Sequence, residues 1–248
     1  MSELYAKTGF QNGRTVLTGC AFTSPLKIAK PFYRDSGYTE LMVMCASPGM
    51  LSGDRFDMAF DMGENTKTII STQSCQKLYN TGEGAAAQSL KIEVGENASL
   101  FYCPYPAIPF AKNRFRASAE IALSRSSKLF FGDILSCGRH GMGERFAFSE
   151  YVSKTTVSID GKPAFVDASR LIPSEAAVGG IGFFEGYTCQ GLLYLYGYET
   201  VSLPKRANLE AAVSRSHKGQ SVRILSNDAD AVYRFAVELF WAGQASDT

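Results

Sequence analysis

The feature that most constrains the fold is the recurrence of short apolar runs separated by turn-forming residues. Runs rich in Val, Ile, Tyr, Phe and Thr lie between Gly, Asn, Ser and Asp, and none shows sustained apolar spacing of 3.6 residues. Such runs are typical of β-strands. The pattern predicts strands at residues 40–45, 66–72, 89–94, 98–103, 117–123, 128–136, 155–159 and 191–198.

Similar turns precede several of these strands at a loose spacing. The tripeptide GEN occurs at 63–65 and again 32 positions later at 95–97, and SS at 126–127 and DGK at 160–162 continue the series. Each turn-and-strand unit is too small to bury its own apolar face, whereas stacked units bury a shared core. The spacing therefore favours an irregular, solenoid-like stack of strands over a meandering sandwich, which would also contain frequent turns.

The last quarter of the chain has a different pattern. Residues 207–217 and 229–241 place apolar side chains on one face of a helix, and 220–225 is a short strand between them. We predict one domain over 1–248, with a β body at about 1–203 and a helix–strand–helix segment at about 204–242. The two helices are either structural cover or a partner surface, and residues 244–248 are expected to fray.

Composition excludes several classes of protein. With 25 basic and 24 acidic residues, the chain has no charge excess for nucleic acid or anionic membrane. No run approaches the roughly 20 apolar residues of a spanning helix, and residues 1–13 lack a signal-peptide core, so we expect a cytoplasmic protein. Six singly scattered cysteines are expected to be buried free thiols, and two histidines are too few for a tight metal site.

The usual catalytic motifs are absent from the sequence. There is no GxxxxGK[ST] loop, no GxSxG elbow and no HExxH helix. A Ser-His-Asp triad would need His140 or His217, and both lie in polar segments typical of exposed loops.

What remains is a set of acidic residues in unusual places. Asp133 interrupts the apolar run at 129–135, Asp54 and Glu144 follow glycine-containing turns, and Asp167 ends an apolar strand. A buried ionised carboxylate must be paired, hydrogen-bonded, hydrated or metal-bound. Ordinary roles also fit, since Asp54 can cap a turn, Asp133 can pair with Arg139 or Lys77, and Glu144 can lie in solvent. Together these acids suit either a polar path for a labile divalent ion or a two-carboxylate glycoside hydrolase.

Four sequence blocks resemble, in order, motifs of the UreD/UreH family of urease accessory proteins. SPLKIAKPFY at 24–33 is similar to SPL…KPFYP, and SPGMLSGD at 47–54 is similar to PPGGLVGGD. ISTQSCQKLY at 70–79 resembles LTTQ…TKFY, and 132–146 resembles WEIL…GR…GE.F. Two positions depart from these motifs, Ser52 in the double glycine and Gly132 in place of an aromatic residue. The blocks cover roughly residues 24–167.

The resemblance implies a helical, two-layer arrangement of many strands with two helices, and an accessory protein rather than an enzyme. It implies binding to the helical protein UreF, which recruits the GTPase UreG, and docking of that assembly on apo-urease. Nickel(II) would pass transiently through an interior route, with no permanently bound cofactor. The matching positions on the route are Asp54, Asp133, Glu144 and Asp167, supported by Lys77, Arg139 and His140. Charged Lys77 has no lone pair for metal, so we expect it to hold Asp133 or Asp54 ionised. A carbohydrate-active hydrolase on a stacked-strand fold remains the alternative.

Overall fold

The computed structural model describes residues 1–199 and 201–245, which form eighteen strands and one α-helix. The first nine strands are β1 (Ser2–Gln11), β2 (Arg14–Phe22), β3 (Leu26–Ile28), β4 (Phe32–Tyr33), β5 (Thr39–Cys45), β6 (Arg55–Met62), β7 (Lys67–Thr72), β8 (Gln76–Leu78) and β9 (Ala86–Val94). The others are β10 (Ser99–Tyr102), β11 (Ala107–Pro109), β12 (Arg114–Leu123), β13 (Lys128–Ser136), β14 (Glu150–Ile159), β15 (Lys162–Leu171), β16 (Cys189–Tyr196), β17 (Leu209–Ser216) and β18 (Gly219–Ser226). The helix α1 is Ala229–Ala245, and a short 3-10 turn occupies His140–Met142. All eight strands predicted above are confirmed.

The strands form two facing sheets, between which the chain alternates. The first sheet has the order β15-β14-β12-β9-β6-β1-β2, and the second runs β17-β18-β16-β13-β10-β7-β5-β3 with β4, β8 and β11 attached. In the centre, β6, β9, β12 and β14 are parallel in one sheet, and β5, β7, β10 and β13 are parallel in the other. The predicted solenoid-like, two-layer stack is therefore confirmed.

The repeated turns carry the chain from the first sheet to the second. Asn65 and Asn97 adopt positive φ angles of 61° and 54°, a conformation that asparagine tolerates better than most residues. The turns stack, since the Asn65 amide donates to the Glu96 carbonyl oxygen at 2.9 Å and the Asn97 amide to Ser126 Oγ at 3.0 Å. The DGK turn at 160–162 differs, because it closes an antiparallel hairpin between β14 and β15 instead of starting another coil.

The main core lies between the sheets and follows the two-residue period of the strands. On β9, Leu90 and Ile92 are buried against the facing sheet, whereas Lys91 and Glu93 are exposed. Each fully buried side chain of this size contributes about 1.5–3 kcal/mol relative to exposure.

A second core lies on the outer face of the second sheet, beneath α1. Phe235, Leu239 and Phe240 of the helix are buried there against β13, β16 and β18. The helix begins after Asp228, whose Oδ1 accepts a hydrogen bond from the Asp230 amide at 2.9 Å. Its close approach to β16 requires a glycine, because a Cβ on Gly191 would lie 2.8 Å from Val232 Cγ1.

The prediction of a helix at 207–217 is wrong. These residues form β17, which pairs antiparallel with β18 through a tight turn at 217–218. Alternate residues Leu209, Ala211 and Val213 pack on the second core, while Ala212 is exposed. The segment therefore follows a period of two, and the C-terminal unit is a hairpin followed by one helix.

The last turn of α1 is held by side-chain hydrogen bonds. Gln244 belongs to α1 and does not fray as predicted, since its Oε1 accepts from the Tyr38 hydroxyl at 3.0 Å and its Nε2 donates to the Tyr198 hydroxyl at 3.2 Å. Residues 246–248 of the predicted frayed tail lie outside the described residues. Among the described residues, no helix has the length and apolar character needed to cross a membrane.

Candidate functional site

Asp133 lies inside the protein, between the two sheets. On β13, Leu129, Phe131 and Leu135 face the main core, and Asp133 shares their side of the strand. It keeps partial exposure although protein surrounds it, because it lines a cavity of about 50 Å³. We call this space the inner cavity. The expectation of a carboxylate set into the core is confirmed.

The surroundings of Asp133 disfavour its charge. Burial, and secondly the nearby carboxylate of Asp167, raise the pKa of Asp133 to about 6, while Arg223 and the backbone amide of Ile134 oppose the rise. At neutral pH the carboxylate is therefore mostly ionised but only partly compensated. A passing cation would relieve this cost.

Asp167 reaches the same region from the facing sheet. It lies on the inward side of β15, with Phe165 and Leu171, and forms an ion pair with Arg223 of β18. Asp167 and Arg223 are near enough to affect the charge of Asp133, although neither residue lines the inner cavity. The effect of Arg223 on Asp133 was not predicted from the sequence. It depends on long-range pairing, because β16 lies between β13 and β18 in the sheet.

A larger space adjoins the inner cavity. This outer cavity has a volume of about 260 Å³ and is lined by residues of β5, β6 and β7, among them Val43, Met58 and Thr72. Five residues line both spaces: Gln76, Gln88, Tyr102, Pro104 and Tyr105. The two cavities therefore form a line along the stack, from the surface near exposed Gln73 to Asp133.

Sulfur atoms are concentrated on the outer cavity. Cys45 and Cys75 line it, together with Met50. All six cysteines are free, but only Cys103, Cys137 and Cys189 are buried. The expectation of buried thiols is therefore wrong for Cys20 and Cys45, which are exposed, and for Cys75, which is partly buried.

Asp54 and Glu144 lie away from both cavities. Asp54 caps its own turn, because Oδ2 accepts a hydrogen bond from the Leu51 amide at 2.7 Å. Glu144 pairs with Arg139 through two hydrogen bonds, one of 2.9 Å to Arg139 Nε, and also accepts from the Ala111 amide at 3.2 Å. The suggested pairing of Asp133 with Arg139 is therefore wrong.

Lys77 and His140 are exposed and belong to a surface cleft. With Arg139 they line a cavity of about 490 Å³ near the start of α1. Lys77 also lines the outer cavity, but among the ion pairs of the described residues it contacts neither Asp133 nor Asp54. The expectation that Lys77 holds one of these acids in place is wrong in this structure.

No dense cluster of metal-ligating side chains occurs in the part of the chain that the structure describes. Within residues 1–199 and 201–245, no three His, Cys, Asp or Glu side chains gather closely enough to hold a metal ion. A divalent ion beside Asp133 would take one or two carboxylate oxygens and complete its shell with water.

The Glu144–Arg139 pair gives a prediction for stability. The hydrogen bond from Arg139 holds the pKa of Glu144 below its ordinary value, so the pair stabilises the fold above that value and loses its effect as pH falls. We expect Glu144→Gln to lower the thermal midpoint at pH 7 by no more than about 2 °C, because the pair is partly solvent-screened. The deficit should shrink as the pH falls towards 3 in thermal scans. A deficit that grew on acidification would contradict this reading.

The hydrolase alternative receives no support from this geometry. It requires two free carboxylates in an open groove lined by aromatic residues. The inner cavity of about 50 Å³ is far smaller than the roughly 300 Å³ or more of ligand pockets, and Asp167 is ion-paired with Arg223.

Comparison with known proteins places the chain in a family. The sequence profile described as "UreD urease accessory protein" matches residues 2–245. The chain belongs to the UreD family of urease accessory proteins. The UreH protein of Helicobacter acinonychis is 37% identical over 188 residues, which cover 75% of this chain and 72% of the relative. The UreD protein of Acetivibrio thermocellus is 33% identical over 240 residues, covering 92% of each. The UreH protein of Helicobacter hepaticus is 30% identical over 242 residues, covering 96% of this chain and 95% of the relative.

The UreD family match extends beyond the blocks that suggested it. The resemblance rested on residues 24–167, whereas the family profile also includes the C-terminal hairpin and α1. The residues that join the two cavities, Gln76, Gln88 and Tyr102, were not identified from the sequence. One signal was available, since Gln88 takes an inward position of β9 between Ala86 and Leu90.

Proposed function

We propose that this UreD-family chain is a non-enzymatic scaffold for urease maturation, and that nickel(II) passes through its interior towards apo-urease. The observation that carries the proposal is the inward carboxylate of Asp133, at the end of a line of cavities between the sheets. A buried acid beside an apolar core costs stability, and such a cost is typical of residues that serve a binding site.

The chemistry of Asp133 suits a carrier. A carboxylate with a pKa of about 6 is mostly ionised at neutral pH, so it offers oxygen to a divalent cation. Arg223 offsets part of the combined charge of Asp133 and Asp167, which keeps the site from holding the ion too tightly. Asp167 provides a further carboxylate oxygen for the ion when its ion pair with Arg223 breaks.

The proposal includes partners. We place this chain between apo-urease and a UreF-like helical protein, which in turn holds a UreG-like GTPase, all in the cytoplasm. The chain itself catalyses no reaction, and nickel is its cargo. The predicted site residues that lie outside the inner cavity include Asp54, Lys77, His140 and Glu144. We assign these four to partner docking or to the approach of the ion, and not to its passage through the interior.

The experiment is a complementation assay in cells that produce urease and its accessory proteins. Cells lacking this chain should assemble urease subunits normally but show at least tenfold lower urease activity, and a plasmid copy should restore it. Urease recovered by affinity purification provides the control for assembly. Full activity without the chain, at ordinary nickel concentrations, would refute the proposed function.

A further inference from the structure

The two cavities meet at a pair of glutamine side chains. Gln76 on β8 and Gln88 on β9 line both the outer and the inner cavity. Gln76 Nε2 donates to Gln88 Oε1 at 2.6 Å and also lies 3.2 Å from Met50 Sδ. Since β8 belongs to the second sheet and β9 to the first, this hydrogen bond crosses the space between the sheets.

Packing alone does not explain a polar pair at this place. Gln88 occupies an inward position on β9, and the other inward residues of that strand are Ala86, Leu90, Ile92 and Val94. A leucine of similar size would suit such a position, whereas a glutamine must find a partner for its amide. Gln76 supplies that partner from the opposite sheet.

We propose that the Gln76–Gln88 hydrogen bond is a gate that controls passage of a hydrated divalent cation from the outer to the inner cavity. This inference rests on the proposed function and specifies how the interior path is regulated. The bond joins two neutral groups on flexible side chains, so thermal motion breaks it easily. Rotation of Gln76 opens the way and leaves amide oxygens facing the ion.

Neutral amides suit the passage between the cavities, whereas a carboxylate suits the binding position at Asp133. An amide oxygen replaces a water molecule in the shell of a hard or borderline cation without adding charge. A carboxylate at this point would retain the ion before it reached Asp133. A bulky apolar side chain that fills the passage would offer the ion no oxygen and would slow its passage.

The test compares two substitutions of one residue. Gln88→Leu fills the passage with apolar atoms, and Gln88→Ala widens it. In nickel-starved cells that carry urease and its accessory proteins, nickel(II) is added and the rate of appearance of urease activity is measured. We expect Gln88→Leu to slow activation at least tenfold, and Gln88→Ala, which removes the amide but leaves the passage open, to slow it clearly less than Gln88→Leu does. Gln76→Leu should behave like Gln88→Leu, and exposed Gln11→Leu provides a matched control.

This order of rates differs from the order that stability predicts. Alanine leaves a void between the sheets, so Gln88→Ala should be the less stable of the two variants, as thermal midpoints will show. Equal rates for Leu, Ala and the natural residue, or losses that follow the thermal midpoints, would overturn the gate. Asp133→Asn, measured alongside, separates the two proposals. If it slows activation while Gln88→Leu does not, only the gate fails, and if it activates normally, the interior path itself fails.

Discussion

Replacing Asp133 with asparagine is expected to stabilise the protein at pH 7, by up to about 3 kcal/mol. The pKa of Asp133 is about 6 in the folded chain against an ordinary value of 3.8, and each pKa unit corresponds to about 1.4 kcal/mol. Burial is the main cause, and the charge of Asp167 is the second. Asparagine keeps the shape of the side chain and removes the buried charge.

The pH dependence of this effect has a definite sign. Because folding raises the pKa of an acid here, the folded state binds more protons than the unfolded state between about pH 4 and pH 6. The natural chain therefore loses stability as pH rises through this window. The advantage of Asp133→Asn should be small below pH 4, grow through the window and level off above pH 7.

Denaturant unfolding across this pH range measures the effect directly. Asp35→Asn is the matched control, because Asp35 is exposed, and its difference from the natural chain should stay within about 0.5 kcal/mol. A variant at Asp133 that was destabilised at pH 7, or whose advantage did not change with pH, would show that the carboxylate is satisfied inside the fold.

Truncating Phe240 to alanine is expected to destabilise the protein by about 3–5 kcal/mol, the largest loss predicted for a single side chain. The ring is 1% exposed and lies at the centre of the aromatic cluster under α1. Its centroid is 4.5 Å from that of Phe101, 5.4 Å from Tyr38 and 5.7 Å from Phe130. Alanine leaves a cavity that strands β10 and β13 cannot close, because the opposite face of their sheet is already packed against the main core.

Guanidinium unfolding of the two chains tests this prediction. Glu238→Ala on the exposed side of α1 serves as the control, since it removes only a surface ion pair with Arg206. Its cost should be under about 1 kcal/mol. A loss below 1 kcal/mol for Phe240→Ala would mean that the helix contributes little to holding the second sheet.

The strands were predictable because their two-residue period is a local property. The run at 128–136 shows both its length and its interrupting acid in the sequence, so the position of Asp133 in the core followed directly. The prediction for residues 207–217 was wrong because it also relied on local sequence, and the local pattern there fits a helix. Only pairing with β18, a tertiary contact, makes it a strand.

The charged neighbours of Asp133 could not be predicted from local sequence patterns. Arg223 lies near Asp133 because β13 pairs with β16 and β16 pairs with β18, which aligns Asp133, Leu192 and Arg223 across the sheet. The Gln76–Gln88 contact likewise joins two different sheets. Such contacts depend on register and stacking, whereas Arg139 and Glu144, five residues apart, form a pair within one loop.

The central claim is that nickel reaches urease through the interior of this UreD-family chain, past Asp133. The most direct measurement is the nickel content of urease purified from cells whose only copy of the chain carries Asp133→Asn. We expect at least tenfold less nickel per urease subunit than with the natural chain, although the variant folds, is more stable and still co-purifies with urease. Normal nickel content in urease matured by this variant would contradict the claim.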